Sequence, residues 1–294
     1  MEERRETINW YPGHMAKAKR MLEENLRVID VVCELVDARA PEASRNPDFD
    51  RLFRSKARVL LMNKSDLSDP ATNKRWIGYY KRMGVEAAEI VSTGANARQQ
   101  VIRLIERATQ ARVEKLQQKG VNKTVRVLIA GIPNVGKSTL INRIAGEKRA
   151  QTGDKPGVTK GKQWVKITPR LELLDSPGLL WPKLGDDTLA RHLAYLGSIN
   201  DEILNIEELA GDLLRELFAL APDALFERYK KLTADTPNEA LLEAVAKSRG
   251  FIQKGGVYDT ERAARIVLDE FRAGRIAHVS LEQPPKEETD GEAE

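Results

Sequence analysis

The segment GIPNVGKS, which begins at Gly131, has the residue types and spacing of a phosphate-binding loop. It matches the pattern G-x-x-x-x-G-K-[ST] and stands between an apolar run and a helical pattern, the context that supports this motif. Successive backbone N–H groups of such a loop, with the dipole of the following helix, bind the β- and γ-phosphates of a nucleotide. Lys137 adds a positive charge there, which gives it a catalytic role, and Ser138 offers its hydroxyl to Mg²⁺. The predicted phosphate contacts are Asn134, Val135, Gly136, Lys137, Ser138 and Thr139.

A second motif, DSPG, begins 44 residues after Gly131 and follows another apolar run. It fits the D-x-x-G turn of GTPases, in which the aspartate, here Asp175, holds the Mg²⁺ shell through a water molecule. The backbone N–H of Gly178 would meet the γ-phosphate, so the turn would sense whether that phosphate is present. Thr159, in the loop between the two motifs, is the candidate that completes the Mg²⁺ coordination, and Thr152 competes for this role.

A third motif, NKSD, fits the N-K-x-D pattern that binds guanine. The carboxylate of Asp66 would accept hydrogen bonds from guanine N1–H and its exocyclic amine together; adenine has no such donor pair, so GTP is predicted over ATP. The stem of Lys64 would lie over the base, and Asn63 would tie this loop to the phosphate loop. A backbone N–H after the next strand would meet guanine O6. The predicted base-side contacts are Asn63, Lys64, Ser65, Asp66, Ser92 and Thr93.

The order of these motifs is unusual, because the base motif comes first. Ordinary small GTPases place the phosphate loop first and the base motif last. Joining the old termini and cutting the chain after the γ-phosphate turn would preserve the sheet and the pocket, so a circular permutation explains the order. A helical pattern begins just beyond that cut, which suggests that movement of the turn pulls on the helical region. Equal inter-domain geometry and equal partner affinity in the GTP and GDP forms would refute this hypothesis.

The elements that must position these motifs alternate between strand and helix, which predicts an α/β fold with a mostly parallel sheet. After about Asp186 the strand pattern stops, and helical stretches follow at residues 205–220, 222–231, 237–250 and 259–274, in a region that ends near Leu281. We therefore predict a circularly permuted P-loop GTPase domain over residues 1–185 with an N-terminal helix over 12–27. An all-α domain over 186–281 and an acidic, disordered tail over 282–294 complete the chain. The strands are expected at residues 29–38, 58–63, 87–93, 124–131, 164–167 and 171–174.

The chain resembles the circularly permuted GTPases, and in particular the ribosome biogenesis GTPase A family. The resemblance covers almost the whole chain and depends on the combination of its motifs. These are NWYPGHMAKA, LVDARAP, NKSD, GIPNVGKST, DSPG and KGGVYDTERAARIVLDEFRAGRI. It implies a GTPase that binds the assembling large ribosomal subunit, acts late in its maturation, and contacts ribosomal RNA through the helical domain.

The resemblance also bears on catalysis. Many GTPases have a glutamine after the D-x-x-G turn that orients the attacking water; here Leu179 holds that place, so slow intrinsic hydrolysis is predicted. In similar GTPases a K⁺ ion lies near the phosphates, and Asn134 would help to hold it here. The resemblance suggests that His14 moves toward the γ-phosphate on the ribosome and positions water. Alternatively, His14 contacts RNA or caps the chain.

The composition fits this interpretation. The chain has 294 residues, 31% of them charged, and a net charge of +4 although its tail is acidic; a basic body favours an anionic partner such as nucleic acid or the ribosome. Ordinary solvated lysines and arginines are the alternative. The single cysteine, Cys33, cannot form an internal disulfide, and no apolar run is long enough to span a membrane. We expect a cytoplasmic monomer without membrane contact.

Two other classes of function remain open. The first is a non-enzymatic RNA-binding scaffold that uses the nucleotide as a clamp, and the missing glutamine supports it. The second is a P-loop phosphotransferase, which would need an acceptor site and an ATP preference. Asp66 argues against this second class, and a nucleotide competition assay would decide it.

Overall fold

The structure is a computed structural model and describes residues 13–146, 163–176, 178–181 and 186–286. Its strands are β1 (Val31–Asp37), β2 (Ala57–Asn63), β3 (Glu86–Ile90), β4 (Val125–Gly131), β5 (Gln163–Thr168) and β6 (Leu171–Asp175). Its helices are α1 (Gly13–Leu26), α2 (Asp48–Leu52), α3 (Pro70–Arg82), α4 (Ala97–Gln117), α5 (Lys137–Ala145), α6 (Asp187–Tyr195), α7 (Ile206–Leu220), α8 (Pro222–Arg228), α9 (Leu241–Arg249) and α10 (Thr260–Arg272).

The strands form one six-stranded sheet in the order β3-β2-β1-β4-β6-β5. All neighbouring strands are parallel except β5 and β6, which are antiparallel. The predicted α/β fold with a mostly parallel sheet is therefore confirmed. A parallel sheet needs cover on both faces, which is why all seven residues of β1 are buried.

Apolar side chains cover the two faces of the sheet in separate clusters. Trp76 and Tyr80 of α3 pack with Leu60 and Met62 of β2 in the smaller cluster. The larger cluster includes buried residues of β1, β4, α4 and α5 and continues without interruption into the helical region. The GTPase-like sheet and the helices that follow it thus share one apolar core.

The functional motifs lie at the carboxyl edge of the sheet. The strand pairing places Asp37 opposite Asn63, Leu35 opposite Gly131, and Ile129 opposite Asp175. Because parallel strands end at one edge, the segments after β1, β2, β4 and β6 meet there. This edge is where open α/β sheets bind ligands.

The helical region consists of α6 to α10. α10 packs against α7 and α9, and α7 also contacts α6 and α8. The cap residues predict where these helices start: the side chain of Asp186 accepts from the N–H of Thr188 at 2.7 Å, and that of Asp259 accepts from the N–H of Arg262 at 3.0 Å. Inside the region, the carboxylate of Glu270 pairs with Arg228 and Arg249.

The C-terminal segment, residues 276–286, returns to the sheet domain. The N–H of Leu281 donates to the carbonyl of Arg39 at 2.7 Å, and the indole of Trp76 donates to the carbonyl of Glu282 at 3.3 Å. We expected the disordered tail to begin at Glu282, but this residue is buried and its carboxylate accepts from the N–H groups of Glu42 and Ala43. Residues 287–294 lie outside the described part of the chain.

Most elements lie where the sequence predicts them. Asp69 is the cap of α3 and accepts from the N–H of Thr72 at 2.7 Å, with Pro70 in the first turn. Sequence reasoning missed α2, a helix of five residues, and α6, whose nine residues begin at the Asp186 cap. In the described ranges, no helix combines the length and apolarity that crossing a bilayer requires.

Candidate functional site

The side chain of Asn63 joins three segments at the carboxyl edge of the sheet. Its amide nitrogen donates to the carbonyl of Val135 in the phosphate loop at 2.7 Å. Its amide oxygen accepts from the N–H and the hydroxyl of Ser92 at 3.0 and 2.7 Å. A primary amide is both donor and acceptor, so the Asn63 side chain makes both kinds of bond at once. The predicted tie between the base motif and the phosphate loop is present.

Lys64 adds a second link between the same loops. It has a left-handed backbone conformation, with φ of 57°. Its ammonium group donates to the carbonyl of Asn134 at 2.9 Å and forms an ion pair with Asp37 at 3.1 Å. Burial alone would raise the pKa of Asp37, but Arg39 and Lys64 outweigh it and hold that pKa far below its usual value. Asp37 therefore stays ionised and fixes the end of the Lys64 side chain.

The remaining base-side residues lie around this link. The hydroxyl of Ser65 donates to the carbonyl of Ile90 at 3.2 Å, which holds the motif against β3. Asp66 and Thr93 are exposed, and Ser92 is buried through its bonds to Asn63. The carboxylate of Asp66 is thus accessible to the donors of a ligand.

The phosphate loop has the shape that its glycines permit. Gly136 has φ of +98°, and a Cβ there would lie 2.3 Å from the side-chain nitrogen of Asn63. Gly131 has φ of +152°, and a Cβ there would lie 2.6 Å from the carbonyl oxygen of Leu35. Both positions therefore exclude any side chain. Asn134, at φ of 62°, takes the left-handed conformation that asparagine tolerates better than most residues.

Lys137 and Asp175 form a buried pair of charges beneath the loop. The ammonium group of Lys137 donates to the carbonyl of Ile132 at 2.6 Å. Burial lowers the pKa of Lys137 to about 8, and Asp175 opposes this shift. Burial raises the pKa of Asp175 to about 6, against the effects of Lys137 and the Ser176 N–H. Two buried charges with these shifts are typical of a site that binds further charged groups.

The residues at this point fit a hard divalent cation. Within the described residues, the Oδ1 atom of Asp175 is buried and has no hydrogen-bond partner. Ser138, with its hydroxyl, follows Lys137 at the start of α5. No group of three or more His, Cys, Asp or Glu side chains in the described ranges forms a complete metal site. Mg²⁺ would therefore need phosphate oxygens and water as its other ligands, which is its usual behaviour in nucleotide sites.

The γ-phosphate turn packs directly on the phosphate loop. A Cβ at Gly178 would lie 2.7 Å from the backbone nitrogen of Pro133. The N–H of Leu179 donates to the carbonyl of Gly131 at 3.3 Å, and the carbonyl of Leu179 accepts from the side chain of Asn46 at 3.0 Å. Leu179 and Leu180 are buried in the core. The position that holds a catalytic glutamine in many GTPases is thus a packing position here.

The helical region also reaches the phosphate loop. The side chain of Asn134 donates to the carbonyl of Gly197 at 2.5 Å. The hydroxyl of Ser198 donates to the carbonyl of Pro133 at 2.9 Å. Asn134 is the residue that we expected to help hold K⁺, which would bind its amide oxygen, and its amide nitrogen contacts the turn after α6. Its role as a K⁺ ligand stays a prediction.

The structure brings most of the predicted residues to one edge of the sheet, but it does not describe the side chains of two of them. The backbone of His14 lies in the first turn of α1, and its side chain is outside what the structure describes. Thr159 lies outside the described residues, while Thr139 is half-buried in α5. Sequence reasoning missed Asn46, Gly197 and Ser198. No local motif marks these three residues, since each contacts the site only through the tertiary fold.

The fold and the site together define a P-loop protein of the circularly permuted GTP-binding class. Residues 126–237 match the family model described as 50S ribosome-binding GTPase. The ribosome biogenesis GTPase A of Priestia megaterium is 43% identical over 284 residues, which are 96% of this chain and 99% of that protein. The ribosome biogenesis GTPase A of Thermotoga maritima is 32% identical over 277 residues, which are 94% of this chain and 95% of that protein.

Solved structures show the same relationship. A crystal structure of GNP-bound YlqF from T. maritima has a TM-score of 0.66 and 29% identity, and covers 92% of this chain and 99% of that one. A GDP-bound structure of YlqF has a TM-score of 0.66 and 28% identity, with 90% and 99% covered. The chain belongs to the ribosome biogenesis GTPase A family, as its motifs predict.

Proposed function

We propose that this chain hydrolyses GTP and acts in late assembly of the large ribosomal subunit, with its GTP state controlling binding to and release from the pre-ribosomal particle. The observation that carries the proposal is the joined pair of loops at the sheet edge. Asn63 fastens the base motif to the phosphate loop, and the unpartnered oxygen of Asp175 lies beneath it. The names of the relatives and the family description support the ribosomal partner.

The role proposed for each residue of the site follows from its position. Asp66 is accessible to guanine donors, and backbone N–H groups from Asn134 to Thr139 would surround the phosphates. Lys137 would leave the carbonyl of Ile132 to contact the β- and γ-phosphates. Ser138, Thr159 and, through water, Asp175 would hold Mg²⁺. When bound, that ion neutralises charge developing on the phosphates.

The position that follows the γ-phosphate turn supplies no group that orients water. Leu179 is 4% exposed, and an apolar side chain cannot orient a nucleophile. Intrinsic hydrolysis is therefore proposed to be slow, and the ribosomal particle is proposed to complete the site. A K⁺ ion near Asn134 would supply positive charge in place of an arginine finger. Replacing K⁺ by Na⁺ should then lower turnover while leaving GDP affinity unchanged.

His14 is the candidate for the missing water-positioning group. The variant His14→Ala should keep GTP affinity but lose most of the turnover that large subunits stimulate, because a neutral imidazole can position water and alanine cannot. His278→Ala provides the matched control, since His278 is an exposed histidine of the C-terminal segment. Unchanged stimulated turnover in His14→Ala would remove the catalytic role and leave an RNA contact or a cap.

Several features favour an RNA-containing partner. The net charge of +4 includes the acidic tail, so the folded body is more basic than the whole. At the opposite end of the sheet from the pocket, Arg112 and Lys123 both pair with the buried Asp30. Lys56 lies beside them, and its pKa is lowered by burial and by these two cations. Such crowded positive charge would be stabilised by phosphate backbones.

We propose that the chain binds its ribosomal partner as a monomer in the cytoplasm, with the helical region in contact with ribosomal RNA.

The decisive test is GTP hydrolysis by the purified chain in K⁺ and Mg²⁺ buffer under multiple turnover, with and without large ribosomal subunits. Stimulation by mature or immature subunits would support the proposal. Competition of GTP binding by excess ATP would refute guanine specificity and favour a phosphotransferase. Asp66→Ala should abolish the preference for GTP while leaving the fold intact, because Asp66 is exposed.

The second candidate is a GTP-dependent RNA-binding scaffold that does not turn over. The buried, apolar Leu179 favours it, because this position contributes packing rather than chemistry. The same assay separates the two candidates. Tight GTP-dependent binding to particles without multiple turnover on any of them would replace the hydrolase by the scaffold.

A further inference from the structure

Arg39 lies between the base motif and the helical region, and only 1% of its surface is exposed. Its guanidinium forms two hydrogen bonds to the carboxylate of Asp37, at 2.9 and 2.8 Å. It also donates to the carbonyls of Phe271 and Arg272 at 3.0 and 3.3 Å and stacks over the Phe271 ring at 5.1 Å. These carbonyls end α10, where the helix dipole favours a cation. One planar side chain thus joins α10 to β1.

The partner of Arg39 holds the lysine of the base motif. Asp37 pairs with Lys64 at 3.1 Å, and Lys64 donates to the carbonyl of Asn134 at 2.9 Å. The contact between the two loops of the pocket therefore depends on a carboxylate that Arg39 orients. Arg39 itself lies behind Asp37 and acts through it.

The helical region makes a second contact, at the phosphate loop. Gly197 accepts from Asn134, and Ser198 donates to the carbonyl of Pro133. This turn is fixed by Arg272, which donates to the carbonyls of Ala194 and Tyr195 at 2.8 and 3.0 Å. Arg272 also forms an ion pair with Asp201 at 2.7 Å. The end of α10 thus supports both contacts, through Arg39 on one side and through the turn after α6 on the other.

We propose that Arg39 and Ser198 are positioning residues through which the helical region sets guanine-nucleotide affinity. This coupling acts through the base motif and the phosphate loop. The coupling that chain order suggests acts instead through the γ-phosphate turn. A partner that shifts α6 and α10 would therefore loosen GDP and GTP alike. By linkage, nucleotide binding would change the affinity for that partner by the same factor. The inference rests on the proposed function only for the identity of the ligand.

The test is dissociation of a fluorescent GDP analogue and of a fluorescent non-hydrolysable GTP analogue from full-length chains. Arg39→Lys keeps the charge but loses the planar fork that reaches Asp37 and α10 together. We expect about tenfold faster dissociation of both analogues, since several charge-assisted bonds are lost. Ser198→Ala removes one neutral hydrogen bond and should accelerate dissociation roughly threefold. If Arg39→Lys does not fold, Ser198→Ala still tests the proposal.

Arg249→Lys is the matched control for Arg39→Lys. Arg249 also pairs with a carboxylate, that of Glu270, and stacks over an aromatic ring, that of Tyr229 at 5.4 Å. It lies within the helical region and contacts neither loop. We expect Arg249→Lys to lower the melting temperature without changing nucleotide dissociation.

Three results would overturn the proposal. Unchanged dissociation in folded Arg39→Lys and Ser198→Ala would remove the coupling. Equal acceleration in Arg249→Lys would show general destabilisation. Acceleration of the GTP analogue alone would assign the coupling to the γ-phosphate turn. If the unaltered chain bound neither analogue, the proposed function itself would fail, which is a different result from each of these.

Discussion

At the scale of single residues, the pocket depends on buried polar side chains that link separate segments of the chain. Asn63 uses both ends of its amide, one on the phosphate loop and one on Ser92. Gly136 makes these bonds possible, because the Asn63 amide occupies the space that a Cβ at position 136 would need. The two motifs are therefore complementary in shape as well as in ligand chemistry.

Replacing Asn63 by alanine tests this complementarity. The change leaves the carbonyl of Val135 and the N–H of Ser92 without partners in a buried place, which should cost about 1–3 kcal/mol of unfolding free energy. Nucleotide affinity should fall more than tenfold, since the two loops lose their tie. Urea unfolding and a fluorescent GDP analogue measure the two effects.

Asn73→Ala is the control for that change. Asn73 is also fully buried, and its amide bonds to Ser68 at 2.8 Å and to the carbonyl of Ser65 at 3.5 Å, so it supports the base motif without joining it to the phosphate loop. Asn73→Ala should lower the free energy of unfolding without a comparable loss of nucleotide affinity. If Asn63→Ala and Asn73→Ala weakened GDP binding equally, the tie would have no specific role.

At the scale of elements, the γ-phosphate turn lies between the phosphate loop and the segment before α2. It packs on the phosphate loop through Gly178 and is held at its end by Asn46, just before α2. The adjoining α2 connects to α1 through the ion pair between Asp48 and Lys19 at 2.6 Å. These contacts connect the turn to the helix that carries His14.

Gly178→Ala should obstruct this turn. The added methyl would lie 2.7 Å from the Pro133 nitrogen, so the turn must move off the phosphate loop. GTP-analogue affinity should fall about tenfold while GDP affinity changes little, because we expect the turn to contact the γ-phosphate and no other part of the nucleotide. Equilibrium titration with both nucleotides gives the ratio.

The control for this change is another glycine-to-alanine substitution. Gly211 lies inside α7, where an added Cβ would meet only the side chain of Arg215 at 3.8 Å. Gly211→Ala should leave both affinities unchanged and stabilise the chain by up to about 1 kcal/mol. Parallel losses of GDP and GTP affinity in Gly178→Ala would contradict a role limited to the γ-phosphate.

At the scale of the whole molecule, local sequence patterns predict the sheet domain well and its attachment to the helices poorly. The strands and the three motifs are local, because each motif follows the strand that positions it. The bond from Arg39 to Phe271 spans 232 residues, and that from Asn134 to Gly197 spans 63. No periodicity encodes such pairs. The burial of Glu282 belongs to the same class, since its composition suggests a solvated tail and its partners come from distant segments.

His192 is the clearest of these distant junctions. Its ring is 2% exposed and bonds Glu282 at 2.8 Å and Glu216 at 3.0 Å, so it joins α6, α7 and the C-terminal segment. Burial alone would lower its pKa, but the hydrogen bonds to Glu216 and Glu282 outweigh burial and raise that pKa from 6.5 to about 9. The imidazolium is therefore the form that holds the junction together.

Because the folded pKa lies above the unfolded one, this stabilisation is fully present below pH 6.5 and is lost as the pH rises through about 9. We expect His192→Gln to lower the unfolding free energy by about 2–3 kcal/mol at pH 6 and by much less at pH 9.5. Urea unfolding at both pH values, with His278→Gln as the exposed-histidine control, measures the difference. A deficit of His192→Gln that stayed constant across this range would mean that His192 contributes packing alone. A deficit that shrinks with rising pH would mean that the charge on His192 helps to hold the C-terminal segment to the helical region.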